Sequence, residues 1–220
     1  MNLNKKAYLL EILSIVVFIV LILIAMFTYG GGTKFDSTIT GYSFWGNTFS
    51  DLGRTISYSG NVNIISMVLF SIAYLGITFG FLPFYYVFPR VFKNGTIQMK
   101  CAKLGSIFGY ISSIGFFGVV LTPADLLRPP HMILAIIAYA CIFFMSLFYS
   151  VSLLKSSEFS NSYFYLFVVF SILFFITLMM QLVGDLIANR IMAVIGQKIG
   201  RIAIFITYPI LTYKLWKLEK

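Results

Sequence analysis

Residues 8–29 read YLLEILSIVVFIVLILIAMFTY and carry one charged side chain, Glu11. A helix that crosses a bilayer needs about 20 consecutive, mostly apolar residues, and this run is long enough. Over the whole chain, 60% of the residues are hydrophobic and 10% are charged, with a mean hydropathy of +0.93. A soluble domain carries about 25% charged residues. The composition therefore predicts an integral membrane protein.

Six apolar segments of this kind follow one another along the chain. The segments predicted to span the membrane are 8–29, 63–88, 102–122, 130–154, 163–183 and 196–216. Short hairpins join them, except for a longer outer loop at 30–62. Because no polar stretch is long enough to form a soluble domain, we expect residues 1–220 to form one all-α domain, a bundle of six transmembrane helices.

The distribution of Lys and Arg predicts how the bundle is oriented. Of the 16 such residues, six lie on the side of the outer loop and the remaining ten on the opposite side. The six are Lys34, Arg54, Arg128, Arg190, Lys198 and Arg201. By the positive-inside rule the richer side faces the cytoplasm, so we expect both termini in the cytoplasm of a multi-pass protein of the cell membrane. Basic residues scattered at segment ends do not predict a nucleic-acid partner.

Each outer connection carries an aspartate followed by an arginine. The motifs are SDLGR at 50–54, ADLLR at 124–128 and GDLIANR at 184–190. In the first two, acid and base are three residues apart, so on a helical turn they share a face and can pair. One interpretation is that these are surface ion pairs that only fix loop conformation. The other is that three hairpins converge on one polar pocket.

The single histidine lies in the connection LTPADLLRPPHMILA, residues 121–135. Pro130 is predicted to start the fourth helix, which places His131 in its first turn, where free N–H groups favour an anion. His131 and Asp125 are the candidate catalytic residues, with His131 as general acid or base and Asp125 orienting it. A hydrogen-bonded histidine without a catalytic role is the simpler alternative. Ser50 is a further, less specific candidate nucleophile.

Other polar residues are predicted to reach the same end of the bundle. Gln181 and Asp185 are four residues apart, as are Gln197 and Arg201, so each pair shares a helix face. Ionisable groups at hydrocarbon depth turn towards the bundle interior or a watery cavity. The predicted ligand-binding residues are Asp51, Arg54, Arg128, Gln181, Asp185, Gln197 and Arg201. We expect this pocket to bind a membrane lipid headgroup or a small anionic solute.

Several functional alternatives stay open at this point. A lipid-acting hydrolase or transferase using His131 and Asp125 is the second hypothesis, and a transporter is the third, although no broken helix or inverted repeat favours it. One histidine with a few aspartates does not predict a zinc site, and no cofactor is predicted. The sequence does not indicate an oligomeric state. Glu11, about one turn into the first helix, is expected to extend its side chain to the cytoplasmic interface.

Three stretches resemble the prokaryotic domain of unknown function 998 family, which is often grouped with the Frag and DRAM proteins. They are GYSFWGNTFSDLGRT at 41–55, LTPAD at 121–125 with PPHMILA at 129–135, and GQKIGR at 196–201. The resemblance covers nearly the whole chain and implies a six-helix bundle with its motif residues at one face. Eukaryotic relatives are linked with lipid-anchor remodelling and lysosomal membranes, which is an analogy for function.

A looser similarity is to membrane hydrolases related to alkaline ceramidases, which use a Ser/Asp/His metal site between seven helices. This chain has one histidine and six predicted helices. That departure argues against a zinc hydrolase.

Overall fold

The computed structural model of the protein describes residues 2–154, 156–187 and 189–219, apart from the side chain of Asp185. Within these residues the secondary structure is helical, without a strand. The helices are α1 Leu3–Phe27, α2 Phe49–Leu52, α3 Ile64–Val87, α4 Ile97–Leu121, α5 Arg128–Leu153, α6 Asn161–Leu186 and α7 Arg190–Leu218, and a 3-10 turn at Phe88–Val91 extends α3. Six helices in the described ranges are long and apolar enough to cross a membrane. The predicted all-α, six-span bundle is confirmed.

Three of the helices, α1, α4 and α7, begin five or six residues before the predicted apolar segments. The sequence predicted that the fourth membrane-spanning helix starts at Pro130. In the structure this helix is α5, which begins at Arg128. The last helix, predicted from residue 196, begins at Arg190, because the Asn189 side chain accepts a hydrogen bond from the Met192 amide and caps it. Capping side chains satisfy the free N–H groups of a first turn. Polar first turns therefore extend the helices past the hydrocarbon region that hydropathy detects.

The six long helices form a ring in chain order. Each of α3 to α7 packs against the next, and α1 packs against both α3 and α7 and closes the ring. At one end the Asn2 and Asn4 side-chain amides donate to the Glu219 carboxylate at 2.7 and 2.6 Å. We call this the inner end, and the end with the long loop the outer end. Placement of the inner end in the cytoplasm stays a prediction from the charge distribution.

Aromatic side chains fill the middle of the ring. Tyr208 of α7 lies at its centre, with its ring centroid 4.8 Å from that of Phe81 and 5.4 Å from that of Phe84. On α4, Gly105 allows Tyr149 of α5 to approach so closely that an added Cβ would lie 2.5 Å from the ring. Large apolar residues on the outside of the helices, such as Val16 of α1, are exposed, as expected of a lipid-facing surface.

The expectation for Glu11 is wrong. Its side chain is fully buried in the bundle, and one carboxylate oxygen accepts a 2.7 Å hydrogen bond from the Thr212 hydroxyl. The second oxygen has no hydrogen-bond partner. A snorkelling side chain needs a path to the interface, and the contact with α7 turns Glu11 inwards.

Candidate functional site

The long outer loop is a packed structure that covers the outer end of the bundle. Asn63, at its end, accepts from the Gly30 amide at 3.1 Å and donates to the carbonyl groups of Leu52 and Arg54 at 3.1 and 2.9 Å. Asn63 is 1% exposed. Because the buried side-chain amide of Asn63 forms all three of these hydrogen bonds, it holds the two ends of the loop together. The position of the short helix α2 is thereby fixed.

The first half of α7 fixes α2 from the other side. Gln197 accepts a hydrogen bond from the Phe49 amide at 3.1 Å, at the start of α2. Lys198 is buried and donates to the carbonyl of Asn47 at 2.9 Å and also to the carbonyl of Phe44. The buried ammonium also lies 4.4 Å from the centre of the Phe44 ring, a favourable cation–π distance. The loop is therefore docked on α7 through its backbone.

Asp51 links α2 to α7 through an ion pair. Its carboxylate accepts from the Thr48 amide at 2.7 Å, which completes a capping box, and from Arg190 at 2.6 and 2.5 Å. Asp51 is 2% exposed. The acid of the first Asp-Arg motif thus pairs with the base of the third. Arg54, the residue expected to share its face, donates to the Ile56 carbonyl at 3.0 Å and stacks on Tyr58.

Asp125 joins the second motif to the first. Its carboxylate accepts from the Thr55 hydroxyl at 2.5 Å, from the Thr55 amide at 3.0 Å and from the Ile56 amide at 3.0 Å. Partial burial raises the pKa of this carboxyl, but the hydrogen bonds from Thr55 and Ile56 outweigh it and hold the pKa below its ordinary value. Asp125 is therefore an ionised clamp between the α4–α5 connection and the outer loop.

His131 has a different partner from the one that was expected. Its Nδ1 lies 2.6 Å from the Thr122 carbonyl oxygen. A carbonyl oxygen only accepts, so Nδ1 carries the proton in this bond, and in the neutral ring Nε2 is left as the acceptor. His131 is 3% exposed, and Nε2 is buried without a hydrogen-bond partner. Thr122, not Asp125, sets the orientation of the imidazole.

These contacts enclose a pocket of about 80 Å³ at the outer end, which we call the outer pocket. Its lining comes from the loop, α2, the α4–α5 connection, α5, α6 and α7. The described residues that line it are Lys34, Thr48, Ser50, Asp51, Arg54, Tyr58, Ala124, Arg128, His131, Met132, Gln181, Gly184, Arg190, Ala193 and Gln197. Four are basic and one is a carboxylate, so the described lining is positively charged.

The structure brings most of the predicted binding residues to this pocket. Gln181 donates to the Ala193 carbonyl at 3.1 Å and ties α6 to α7 there. Asp51, Arg54, Arg128, Gln181, Gln197 and His131 all line it. Asp125 does not line the pocket, but it binds Thr55 and Ile56, which follow Arg54 in the loop. The side chain of Asp185 lies outside the described residues.

The prediction missed four polar members of the lining. They are Lys34, Thr48, Tyr58 and Arg190. Arg190 had a signal, because it is the base of the third Asp-Arg motif. The other three residues are in the long loop, and no sequence pattern predicts how this loop runs over the bundle.

Arg201 lies elsewhere. It is 2% exposed and lines a second, deeper cavity within the bundle, with Tyr85, Ser112, Thr78 and Tyr208. Four residues separate it from Gln197, which corresponds to about 6 Å along α7 by helix rise. The shared face predicted for Gln197 and Arg201 leads from the outer pocket into the middle of the membrane-spanning region. We call the second space the inner cavity.

No group of three or more His, Cys, Asp and Glu side chains is placed to hold a metal ion in the part of the chain that the structure describes. No family model, no curated protein and no solved structure matches the chain. The resemblance to the domain of unknown function 998 family stays a prediction.

Proposed function

We propose that the outer pocket binds an anionic group, a phosphate of a lipid headgroup or a small anionic solute, at the extracytoplasmic face of a cell membrane. The observation that carries the proposal is the charge of the described lining: Lys34, Arg54, Arg128 and Arg190 against Asp51. Lys34 is exposed and Arg54 is half-buried at this pocket, so both side chains can reach an arriving anion. A lining with an excess of one sign of charge attracts an ion of the opposite sign.

Two unsatisfied nitrogen atoms add support. Nε of Arg190 is buried without a hydrogen-bond partner, as is Nε2 of His131, and both residues line the outer pocket. A buried polar atom without a partner costs about 1–3 kcal/mol. An oxyanion offers several acceptors at once, and protonation of the imidazole would turn Nε2 into a further donor towards it.

The test is retention of lipid by the purified protein, read by native mass spectrometry in detergent containing equal phosphatidylglycerol and phosphatidylcholine. We expect the wild type to retain phosphatidylglycerol preferentially. The double variant Lys34→Gln/Arg54→Gln removes two charges and leaves the Asp51–Arg190 pair in place. At about 1 kcal/mol for each basic residue near an anionic surface, the preference should fall at least about tenfold.

A matched control removes two charges from the inner end, in Arg90→Gln/Lys93→Gln, and should keep the preference. Inorganic phosphate, titrated by calorimetry, separates the two sources of the anion. Saturable phosphate binding without any lipid preference assigns the pocket to a free solute. Neither phosphate binding nor lipid preference in the wild type rejects the proposal.

A lipid-acting hydrolase or transferase is the second candidate, because His131 and Ser50 line the same pocket. In the bond pattern described above, Nε2 is the free basic nitrogen of His131, as a general base requires. The orienting group in this candidate is the Thr122 carbonyl. Turnover of a broad phospholipid panel that His131→Gln abolishes, with unfolding temperature unchanged, would support it. Equal turnover by the wild type and His131→Gln would rule it out.

A further inference from the structure

The inner cavity contains a buried cation, Arg201, that has no counter-ion among the described side chains. Arg201 donates one hydrogen bond, from Nη2 to the Tyr74 hydroxyl at 3.0 Å, and its Nε is buried without a partner. No carboxylate in the described part of the chain forms an ion pair with it. A charge at this depth is expensive and marks a functional position by default.

Aromatic rings hold the guanidinium but do not neutralise it. Its central carbon lies 4.6 Å from the ring centre of Phe116, 5.0 Å from that of Tyr74, and 5.6 Å from that of Tyr139. Each such contact is worth about 0.5–2 kcal/mol. That attraction fixes the position of Arg201 and leaves its net charge in place. Glu11, a buried carboxylate of the bundle, bonds to Thr212, which lies eleven residues and so roughly 16 Å from Arg201 along α7 by helix rise. The described side chains therefore leave this charge without a counter-ion in contact.

A second unsatisfied donor lies in the same cavity. The Thr78 hydroxyl on α3 is buried without a hydrogen-bond partner and lines the inner cavity together with Arg201. The Ser112 and Ser113 residues of α4 are also in the lining. Hydroxyl and guanidinium groups from three different helices thus line one space, and both unsatisfied groups are hydrogen-bond donors.

The size and the walls of the cavity restrict what can bind. It measures about 40 Å³, which is room for about three water molecules at roughly 10–15 Å³ each. Its remaining walls are apolar, from residues such as Ile77, Ile142 and Met145. A multiply charged oxyanion loses more hydration energy than such walls can replace. A weakly hydrated monovalent ion of chloride size fits the volume and the single positive charge.

From the guanidinium of Arg201, which has no described counter-ion, and the unsatisfied hydroxyl of Thr78 in one cavity lined by buried residues, we infer that the middle of the bundle is a binding site for a halide-sized monovalent anion. This site is distinct from the outer pocket, and it does not depend on what the outer pocket binds.

The test compares thermal unfolding of the purified protein in sodium chloride and in sodium gluconate at equal ionic strength, together with equilibrium dialysis of radioactive chloride. A ligand that binds only the folded state raises the unfolding midpoint in a saturable way. We expect chloride to raise the midpoint over gluconate and to bind at one ion per chain. Identical midpoints and no retained chloride overturn the inference, because water then fills the cavity.

The deciding variant is Thr78→Val, which keeps the shape of the side chain and removes the donor. Loss of one hydrogen bond to a charged acceptor should weaken chloride binding at least about tenfold. The control is Thr207→Val, the same change at a buried threonine of α7 that does not line the cavity, and it should bind chloride as the wild type does. Equal affinity in the two variants overturns the inference.

Lys34→Gln/Arg54→Gln separates the two sites. It should lose the lipid preference of the outer pocket and keep the chloride affinity of the wild type. Loss of chloride binding in this double variant would assign the ion to the outer pocket and overturn the inference, whatever the outcome for lipid.

Discussion

Two arginines of α7 have guanidinium groups that are stabilised by different kinds of partner. Arg190, at the start of α7, reaches an aspartate of another hairpin at 2.5 Å. Arg201, three turns further into the bundle, is surrounded by aromatic rings and has one hydroxyl as its hydrogen-bond acceptor. The first arrangement locks the covering loop onto the bundle. The second leaves the guanidinium without a described carboxylate, so the two buried arginines differ in their partners.

The largest effect is expected from breaking the first arrangement. Asp51→Asn removes the charge partner of Arg190 and weakens the cap of α2, and loss of one partner of a buried ion pair costs about 3–5 kcal/mol. The free energy of unfolding, measured by denaturant titration in detergent, should fall by that amount. Asp36→Asn is the control, at an exposed carboxylate of the same loop whose side-chain hydrogen bonds go to the neighbouring Thr38, and it should cost much less than Asp51→Asn.

The double variant Asp51→Asn/Arg190→Gln sharpens this result. Because it leaves no uncompensated charge, it should be more stable than Asp51→Asn alone. Additive losses in the double variant would mean that the pair contributes nothing as a pair.

The second arrangement is tested by Tyr74→Phe, which removes the hydroxyl that accepts from Arg201 and keeps the ring. The guanidinium then loses its described hydrogen bond, and we expect unfolding to become easier by about 1–3 kcal/mol. Tyr139→Phe is matched, since that ring also lies near the guanidinium but its hydroxyl is not the acceptor. A larger loss in Tyr139→Phe would contradict the assignment of Tyr74 as the anchor.

The smallest effect concerns the clamp between the α4–α5 connection and the outer loop. Asp125→Asn should cost about 1–2 kcal/mol at neutral pH, because its bonds to Thr55 and Ile56 lose their charge. The folded-state pKa of Asp125 lies below the ordinary value of 3.8. Its contribution is therefore complete above that pH and is lost as the pH falls through the folded-state value.

The free energies of unfolding of the wild type and of Asp125→Asn should therefore begin to converge as the pH falls below about 4. Glu158→Gln, at an exposed carboxylate of the inner end, controls for the general effect of acid. A difference that stays constant with pH would show that the charge of Asp125 has no part in the clamp.

The helices were predictable because hydropathy reports directly on burial in hydrocarbon, and the residues at the outer end were predictable because ionisable groups are rare in such a chain. The ion-pair and hydrogen-bond partners of these residues were not predictable. Asp51 lies three residues from Arg54 in sequence and pairs with Arg190, since the docking of α2 on α7 decides which base it meets. Glu11 is a second case: only the packing of α1 against α7 places Thr212 beside it.

The position of Arg201 shows the same limit. Its four-residue spacing from Gln197 puts both residues on one face of α7. The spacing does not predict that Gln197 lines the outer pocket and Arg201 the inner cavity. The aromatic rings around the guanidinium of Arg201 come from α1, α3, α4 and α5, so their arrangement depends on the assembly of the whole ring of helices.

The closure of the ring by α1 and α7 has a consequence for biogenesis. α1, which is synthesised before α7, is strongly apolar, with a hydropathy of 3.1, whereas α7 has a value of 1.4. The described hydrogen-bond acceptors of Arg190, Lys198 and Arg201 belong to segments synthesised before α7. Stable insertion of α7 is thus coupled to its packing against those segments, and a chain that stops before α7 has an open ring.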